Sequence, residues 1–324
     1  MNSINSVLIA GAGAIGLLVA ETIYNANPAC ISIMAKDERL ERYRKNGIWV
    51  NGRRIDFHLA WGEQADLIIV ACKLHHLDQV IEDISPSVGK DTIIISLLNG
   101  ITSEEIIGRR FGRERLPLAM IIGVDAFYGE GKAVYTKKGV IHFGNGEGNN
   151  GERENKLAEF FTRTGVAFEI ESDMRRSLWY KFMVNVGINQ VTAILRLPYG
   201  ALMNKGAPGE IPEARLLTEQ AMREAIAVAN AEGIDLNDGD IEKWYKTINT
   251  INPCGLTSMF QDVLAQRKTE LEMFCLALME LGKKHGIPLP VNEMFYLQLR
   301  AIEQGYGLKL DIPSVDPSPN FALS

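Results

Sequence analysis

The 324-residue sequence has no basic run, no long apolar segment and no CxxC motif. Acidic and basic residues are mixed along the chain and the formal net charge is −6, which argues against a nucleic-acid partner. Because no apolar run reaches the roughly 18 residues of a bilayer-spanning helix, no membrane partner is expected either. The amino terminus lacks a charged segment followed by a cleavage site, so we expect a cytoplasmic protein.

The sequence also offers few metal ligands. None of the five histidines has another ligand residue at the spacing that metal sites use, so we expect no metal. The four cysteines lie far apart, which indicates small core residues of a reduced protein rather than disulfide partners or zinc ligands. These cysteines are Cys30, Cys72, Cys254 and Cys275.

The hydrophobic pattern of the sequence changes near residue 172. Before it, short β-branched runs alternate with amphipathic stretches, and several runs are apolar throughout, as strands buried on both faces must be. An Asn51–Gly52 pair inside 48–57 predicts a small inserted hairpin. The predicted strands are 6–11, 30–35, 66–73, 92–99, 118–123, 139–146 and 166–171.

After residue 172 helical periodicity predominates, with predicted helices at 173–196, 210–233, 238–250, 256–286 and 290–304. The fold class is therefore α/β, an N-terminal Rossmann-type doubly wound sheet with an all-helical C-terminal domain. The predicted domains are 1–172 and 173–307. A tail at 308–324 carries three prolines and is expected on the surface or partly disordered.

A GxGxxG motif lies directly after the first strand run and at the start of a helical run. The first glycine permits a tight turn, the second lets the backbone approach a pyrophosphate, and the third allows close packing of strand and helix. A purely structural turn is the alternative, but the following helix and second strand favour a dinucleotide site. The predicted cofactor-binding residues here are Gly11, Ala12, Gly13, Ala14, Ile15 and Gly16.

The residues after the second strand run bear on the choice of cofactor. An acid at this place usually binds the ribose 2′-hydroxyl of NAD, whereas a cation suits the 2′-phosphate of NADP. Here Lys36 precedes Asp37, and Arg39 and Arg42 are near. This order favours NADP, although Asp37 could serve NAD and the charges could simply be the solvated start of a helix.

Two more polar positions follow predicted strands, where open α/β sheets bind their ligands. Lys73 follows the run at 66–72, and Asn99 with Gly100 follows the run at 92–98. Their positions favour a functional role, but a surface lysine and an ordinary turn would give the same pattern.

Polar residues recur every fourth position in an otherwise apolar helix at 177–195: Lys181, Asn185 and Asn189. Residues four apart differ by roughly 40° around a helix axis, so these three form one stripe. A buried lysine is costly unless it meets an anion or loses its proton. The stripe therefore indicates either polar residues that bond neighbouring helices or a cleft lining that offers one proton donor and two amides to a small polar ligand, and the cost favours the cleft.

A second set, Ser258, Asp262 and Glu270, would share one face if the helix predicted at 256–286 were unbroken. Each residue alone has a simple structural explanation, because Ser258 resembles a helix N-cap and Glu270 a solvated acid.

Together these motifs resemble the ketopantoate reductase (2-dehydropantoate 2-reductase) family, NADPH enzymes with a Rossmann domain and a helical domain. The resemblance covers nearly the whole chain. It rests on GAGAIG at 11–16, ACK at 71–73, NGI at 99–101, KxxxNxxxN followed by TAI at 181–194, and SMxQDxxxxRxTE at 258–270.

The resemblance implies catalytic roles for Lys181, as general acid, and for Glu270, near the hydroxyl side of the substrate. It implies that Lys36 stands where the family often has an arginine for the 2′-phosphate, and it adds Lys73 to the cofactor site. Asn99 would lie near both nicotinamide and substrate. The implied substrate-binding residues are Asn99, Asn185, Asn189 and Ser258.

The implied function is NADPH-dependent reduction of a 2-keto acid, foremost 2-dehydropantoate to pantoate in pantothenate and CoA biosynthesis. Hydride would reach the 2-keto carbon, and Lys181 would stabilise the charge on oxygen and supply the proton. Alternatives are a related NAD(P) reductase for a different 2-keto or 3-hydroxy acid, and a non-catalytic dinucleotide-binding sensor. Departures from the family pattern at Gln190 and Tyr199 mark where specificity is expected to differ; the oligomeric state, with a homodimer one option, stays open.

Overall fold

The computed structural model describes residues 3–129, 131–145, 151–203 and 209–308. The strands are β1 (Val7–Ala10), β2 (Ile31–Met34), β3 (Ile48–Val50), β4 (Arg53–Ile55), β5 (His58–Ala60), β6 (Ala65–Val70), β7 (Val88–Ser96), β8 (Leu118–Gly129), β9 (Lys132–Gly144) and β10 (Phe168–Glu171). The helices are α1 (Ala14–Ala26), α2 (Asp37–Asn46), α3 (Leu77–Ile84), α4 (Ser103–Phe111), α5 (Glu152–Thr164), α6 (Met174–Leu195), α7 (Pro212–Ala231), α8 (Asp238–Ile248), α9 (Ser258–Leu264), α10 (Ala277–His285) and α11 (Pro290–Gln304).

Five strands form a parallel sheet in the order β5-β2-β1-β6-β7. One face, with Leu8 and Ile68, packs in a cluster with α3, and the other, with Ile9 and Leu67, packs in a cluster with α1 and α5. Both faces are covered because the strands are apolar throughout. The predicted doubly wound, Rossmann-type sheet is confirmed.

The remaining strands form a second sheet in the order β10-β9-β3-β4, with β8 paired to β9. The Asn51–Gly52 hairpin is confirmed: both residues have positive φ (46° and 76°) and join β3 antiparallel to β4. The placement of 118–123 in the parallel series was wrong, because β8 runs antiparallel to β9 as a long hairpin. The first half of β8 is largely buried, so its sequence resembles that of a buried parallel strand.

Beyond β10, the described residues are all helical or connecting segments. Helix α6 packs against α7, α9 and α11 and is buried on most sides. Its buried apolar residues from Trp179 onward belong to the same cluster as the α3 face of the parallel sheet. The predicted helical C-terminal half is confirmed, and its core is continuous with one face of the Rossmann half.

The helix predicted at 256–286 is broken. Helix α9 ends at Leu264, Gln266 has a positive φ of 49°, and the chain re-enters helix through a π-helical turn at Glu272–Leu276. Between them, Glu303 of α11 accepts hydrogen bonds from the backbone N–H (2.8 Å) and hydroxyl (2.6 Å) of Thr269. This tertiary contact holds a segment that contains no glycine or proline.

All four cysteines are free, and only Cys30 and Cys275 are buried. Cys72 is half-buried, and Cys254 is exposed because it lies in the loop before α9, so the prediction of core cysteines was wrong for it. Apart from Leu308, the predicted tail lies outside the described residues. No helix in the described parts of the chain is both long and apolar enough to span a bilayer.

Candidate active site

The three motif glycines differ in what surrounds them. A Cβ on Gly11, whose φ is +122°, would lie 2.6 Å from the Ala71 carbonyl, and a Cβ on Gly16 would lie 1.9 Å from the Gly11 oxygen. A Cβ on Gly13 would meet nothing within 4 Å. The first and third glycines are therefore required by the protein's own packing, whereas the second leaves open space at the sheet edge.

Helix α1 begins at that space. Its N-cap is Gly13, no side chain caps it, and its first turn contains no acid. The unpaired N–H groups and the positive end of the helix dipole form an anion-binding site. Ala12, Ala14 and Ile15 are only half-buried around it. The loop thus fits a dinucleotide pyrophosphate.

Lys36 is the N-cap of α2 and follows β2, the neighbour of β1. Its Nζ lies 2.7 Å from Asp83 Oδ1 on α3, and this bond raises the pKa of Lys36, which stays charged. Asp37 is exposed and has a positive φ of 49°. The predicted 2′-phosphate cation is thus at the expected edge but already paired.

Lys73 and Asn99, which follow β6 and β7, contact acidic residues of the helical half, and this contact region is called the junction. Lys73 Nζ lies 2.7 Å from Asp262 Oδ2 and 3.7 Å from Glu270 Oε1. Asn99 Nδ2 donates to Glu270 Oε2 at 3.0 Å. Asp262 and Glu270 converge here although they are on different segments, since the loop after α9 brings Glu270 back to the junction. The structure therefore brings four of the predicted residues together.

Lys181 of α6 lies at the same junction, with its Nζ donating to the Ile121 carbonyl at 3.0 Å. Burial lowers the pKa of Lys181 from 10.5 to about 8, and the nearby carboxylates Glu270 and Glu104 only partly offset this. The result is an ammonium group that gives up its proton more readily than an ordinary lysine.

The two asparagines of the stripe have different surroundings. Asn189 is buried; its Nδ2 donates to Asn185 Oδ1 (3.1 Å) and its Oδ1 accepts from the Ser258 hydroxyl (3.3 Å). Asn189 and Ser258 thus fasten α6 to α9. The half-buried Asn185 keeps its Nδ2 without a hydrogen-bond partner among the described residues. Asn189 therefore bonds a neighbouring helix, as the first interpretation expects. That Lys181 and Asn185 line a ligand cleft stays a prediction.

Sequence reasoning missed two contributors. Glu104 is only 4% exposed, accepts the Ser103 hydroxyl at 2.8 Å, and burial raises its pKa. Arg267 donates to Asp262 Oδ1 at 3.0 Å and to the Tyr128 carbonyl of β8 at 3.1 Å, so it ties the β8–β9 hairpin to the junction. Arg267 was visible within the 258–270 motif, but nothing in the sequence pointed to Glu104.

Gln190, where specificity is expected to differ, lies in the core and forms no hydrogen bond with the predicted site residues named above. Gln190 is fully buried; its Nε2 donates to Val186 O (2.6 Å) and Asn292 Oδ1 (2.9 Å), and its Oε1 accepts from Cys275. It is a core residue because it is on the side of α6 that faces α11. Tyr199 is half-buried, and burial, with Asp125 adding to it, raises the pKa of its phenol to about 12. Its role in specificity stays a prediction.

One group among the described residues has ligand atoms within 4.8 Å of one another: His142, Glu169 and Glu171. The closest contact is His142 Nδ1 to Glu171 Oε1 at 2.7 Å, and Glu171 also accepts from Ser177. These contacts join β9, β10 and α6 as an ion pair would, and the expectation of no metal stays a prediction.

Comparison with known proteins places this architecture in a family. The chain matches the model described as ketopantoate reductase PanE/ApbA over residues 7–148 and the corresponding C-terminal model over 173–303. The 2-dehydropantoate 2-reductase of Lactococcus lactis subsp. lactis is 26% identical over 297 residues, which are 88% of this chain and 93% of that protein. That of Vibrio cholerae serotype O1 is 24% identical over 311 residues, 93% of this chain and 99% of that protein.

Solved structures share the fold. D-mandelate dehydrogenase with NADH and anilino(oxo)acetate has a TM-score of 0.82 at 24% identity, covering 94% of this chain and 100% of that one. The PanE/ApbA family ketopantoate reductase of Ralstonia eutropha JMP134 has 0.78 at 23%, covering 92% and 98%. A dimeric ketopantoate reductase from Staphylococcus aureus has 0.76 at 22%, covering 93% and 99%. With family models matching both halves, this chain belongs to the ketopantoate reductase family, a family of oxidoreductases that act on CH–OH groups.

Proposed function

We propose that the protein reduces a 2-keto acid to the 2-hydroxy acid with NADPH, and that 2-dehydropantoate, reduced to pantoate for pantothenate and CoA synthesis, is the first substrate to test. The observation that supports this most is Lys181, a half-buried lysine with a pKa lowered to about 8, at a junction lined by amide and carboxylate groups. Desolvation makes this placement costly for a structural lysine, whereas a general acid needs a pKa near the working pH.

The glycine loop and the uncapped start of α1 would hold the pyrophosphate of the cofactor. A bound reduced nicotinamide supplies hydride. Lys181 holds a proton at Nζ, stabilises negative charge as it develops on the substrate oxygen, and donates the proton to that oxygen. Near pH 7 most of the lysine is protonated, and it is a stronger acid than a solvated lysine.

The neighbouring side chains would orient the substrate. Asn185 has a donor to offer a carboxylate oxygen. Glu270 accepts from Asn99 and, by its charge, favours the protonated form of Lys181, so we assign it a place beside the substrate hydroxyl. Asn189 and Ser258 would act mainly by holding α6 against α9. The desolvated site strengthens each of these interactions.

For the cofactor we propose NADPH, on the cations Lys36, Arg39 and Arg42 at the start of α2. NADH is the competing choice, because Asp37 is exposed at the same place and the D-mandelate dehydrogenase that shares the fold was solved with NADH. We also propose a cytoplasmic homodimer, since one neighbour is described as dimeric; sedimentation of the purified protein would test the dimer.

The central experiment is Lys181→Ala, assayed by NADPH absorbance with 2-dehydropantoate and a panel of other 2-keto acids. We expect kcat to fall by about 10²–10⁴, the usual contribution of a general acid, with a smaller change in NADPH affinity. Lys246→Ala, at an exposed position of α8, is the matched control and should turn over normally. Unaltered turnover by Lys181→Ala would remove the lysine from the mechanism. NADPH binding without oxidation by any keto acid would instead favour a sensor.

A further inference from the structure

Lys36, the cation that follows β2, is already paired with a carboxylate. Lys36 Nζ lies 2.7 Å from Asp83 Oδ1 and 5.5 Å from the centroid of the Trp61 ring. Asp83 is on α3, on the side of the sheet away from α1. A 2′-phosphate arriving at the start of α2 would therefore meet an ion pair rather than a bare ammonium group.

The Asp83 carboxylate is buried and is stabilised by Lys36. It is only 8% exposed, and its Oδ1 also accepts from Gln79 Nε2 at 2.9 Å. Lys36 is the only cation within ion-pair distance of it in the described part of the chain. Since an ionised carboxylate that is buried without a cation is strongly unfavourable, moving Lys36 away from Asp83 has a cost.

We propose that Asp83 is a specificity-determining residue, which lowers the preference for NADPH over NADH by competing with the cofactor's 2′-phosphate for the Lys36 ammonium. The inference rests on the proposed function, because it requires a dinucleotide at the glycine loop. The carboxylate acts twice: it neutralises the cation and, at short range, repels a phosphate. NADH, which has no 2′-phosphate, is insensitive to both effects.

The test is direct binding, followed by the fluorescence of NADPH or NADH as each is titrated into the protein at constant ionic strength. Asp83→Asn should lower the Kd for NADPH by about two- to fivefold, the range expected for releasing a partly exposed ion pair, and leave that for NADH unchanged. Glu82→Gln removes one charge from the adjacent, exposed position of α3 and should change neither Kd. Lys36→Met combined with Asp83→Asn removes the ammonium as well and should bind NADPH more weakly than Asp83→Asn alone.

An unchanged ratio of the two affinities in Asp83→Asn, or weaker NADPH binding, would overturn the proposal, the second result indicating that Asp83 positions Lys36 for the phosphate. If Asp83→Asn does not fold, Asp83→Ser is read by the same criteria. A wild-type protein that binds neither nucleotide would refute the proposed function itself, so the two failures are distinguishable.

Discussion

Replacing Lys181 with methionine should lower kcat as Lys181→Ala does and yet stabilise the folded protein at neutral pH. The pKa of Lys181 falls from 10.5 to about 8 on folding, which makes the charged form roughly 3 kcal/mol less favourable in the folded than in the unfolded chain. Methionine has a similar length and no charge, so it avoids this cost. It loses the hydrogen bond to the Ile121 carbonyl, worth about 1 kcal/mol. The expected net gain is about 2 kcal/mol.

The stability gain of Lys181→Met should decrease as the pH rises. Because the folded-state pKa of Lys181 is the lower one, the unfolded chain binds more protons between about pH 8 and 10.5, and wild-type stability rises with pH across that window. The destabilisation by Lys181 is complete below about pH 8 and is lost as the pH approaches 10.5. The advantage of Lys181→Met should therefore shrink from about 2 kcal/mol at pH 7 to less than about 1 kcal/mol at pH 9.5.

Urea unfolding followed by tryptophan fluorescence, at pH 7.0 and 9.5, measures both values. Lys246→Met, at an exposed position of α8, is the control for loss of one positive charge and should show neither the gain nor its pH dependence. A Lys181→Met variant less stable than the wild type at pH 7, or a gain equal at both pH values, would refute the reasoning that Lys181 is held in a desolvated, charged state.

Other predictions follow from the same structure. The rate of reduction, as kcat/KM, should fall about tenfold per pH unit above about pH 8 as Lys181 loses its proton; a flat profile to pH 10 would exclude it as the acid. Gly13→Ala should leave the unfolding free energy unchanged, since its Cβ meets only open space, but should weaken NADPH binding because that space is the proposed pyrophosphate site. Gly16→Ala should lower the unfolding free energy by about 1–3 kcal/mol, because its Cβ clashes with backbone. Equal stability of the two variants would contradict this. Gln190→Leu should lower the unfolding free energy by about 1–3 kcal/mol without changing KM for the keto acid, and a changed substrate preference would return that residue to the site.

The parts of the fold that depend on local pattern were predictable from sequence. The apolar strands, the glycine motif and the Asn51–Gly52 hairpin each have a local physical cause: burial on both faces, backbone approach, and positive φ. The polar stripe on α6 was also visible, because one-sided polarity at a spacing of four residues is a property of the helix alone. The sequence did not show that this stripe faces the Rossmann half of the chain.

The rest depended on contacts between distant segments. The break after α9 is stabilised by Glu303, far along the chain from Thr269, and no local breaker marks it. Gln190 and Asn185 are both amides in one helix, and only tertiary packing decides that Gln190 joins the core and Asn185 stays half-buried. The partner of Lys36 is likewise a residue of another helix. Such errors concern which neighbour a polar group meets, information that periodicity does not contain.

The low pKa of Lys181 depends on how its two carboxylate neighbours are themselves engaged. Glu270, the carboxylate that raises the pKa of Lys181 most, also lies 3.7 Å from Lys73 Nζ and accepts a hydrogen bond from Asn99. Burial raises the pKa of Glu104, which weakens it as a counter-ion. At Lys181 desolvation outweighs the attraction of the two carboxylates, and the pKa stays below that of a solvated lysine. The residues that join the two halves of the chain thus also set the acidity of the group that we propose as the proton donor.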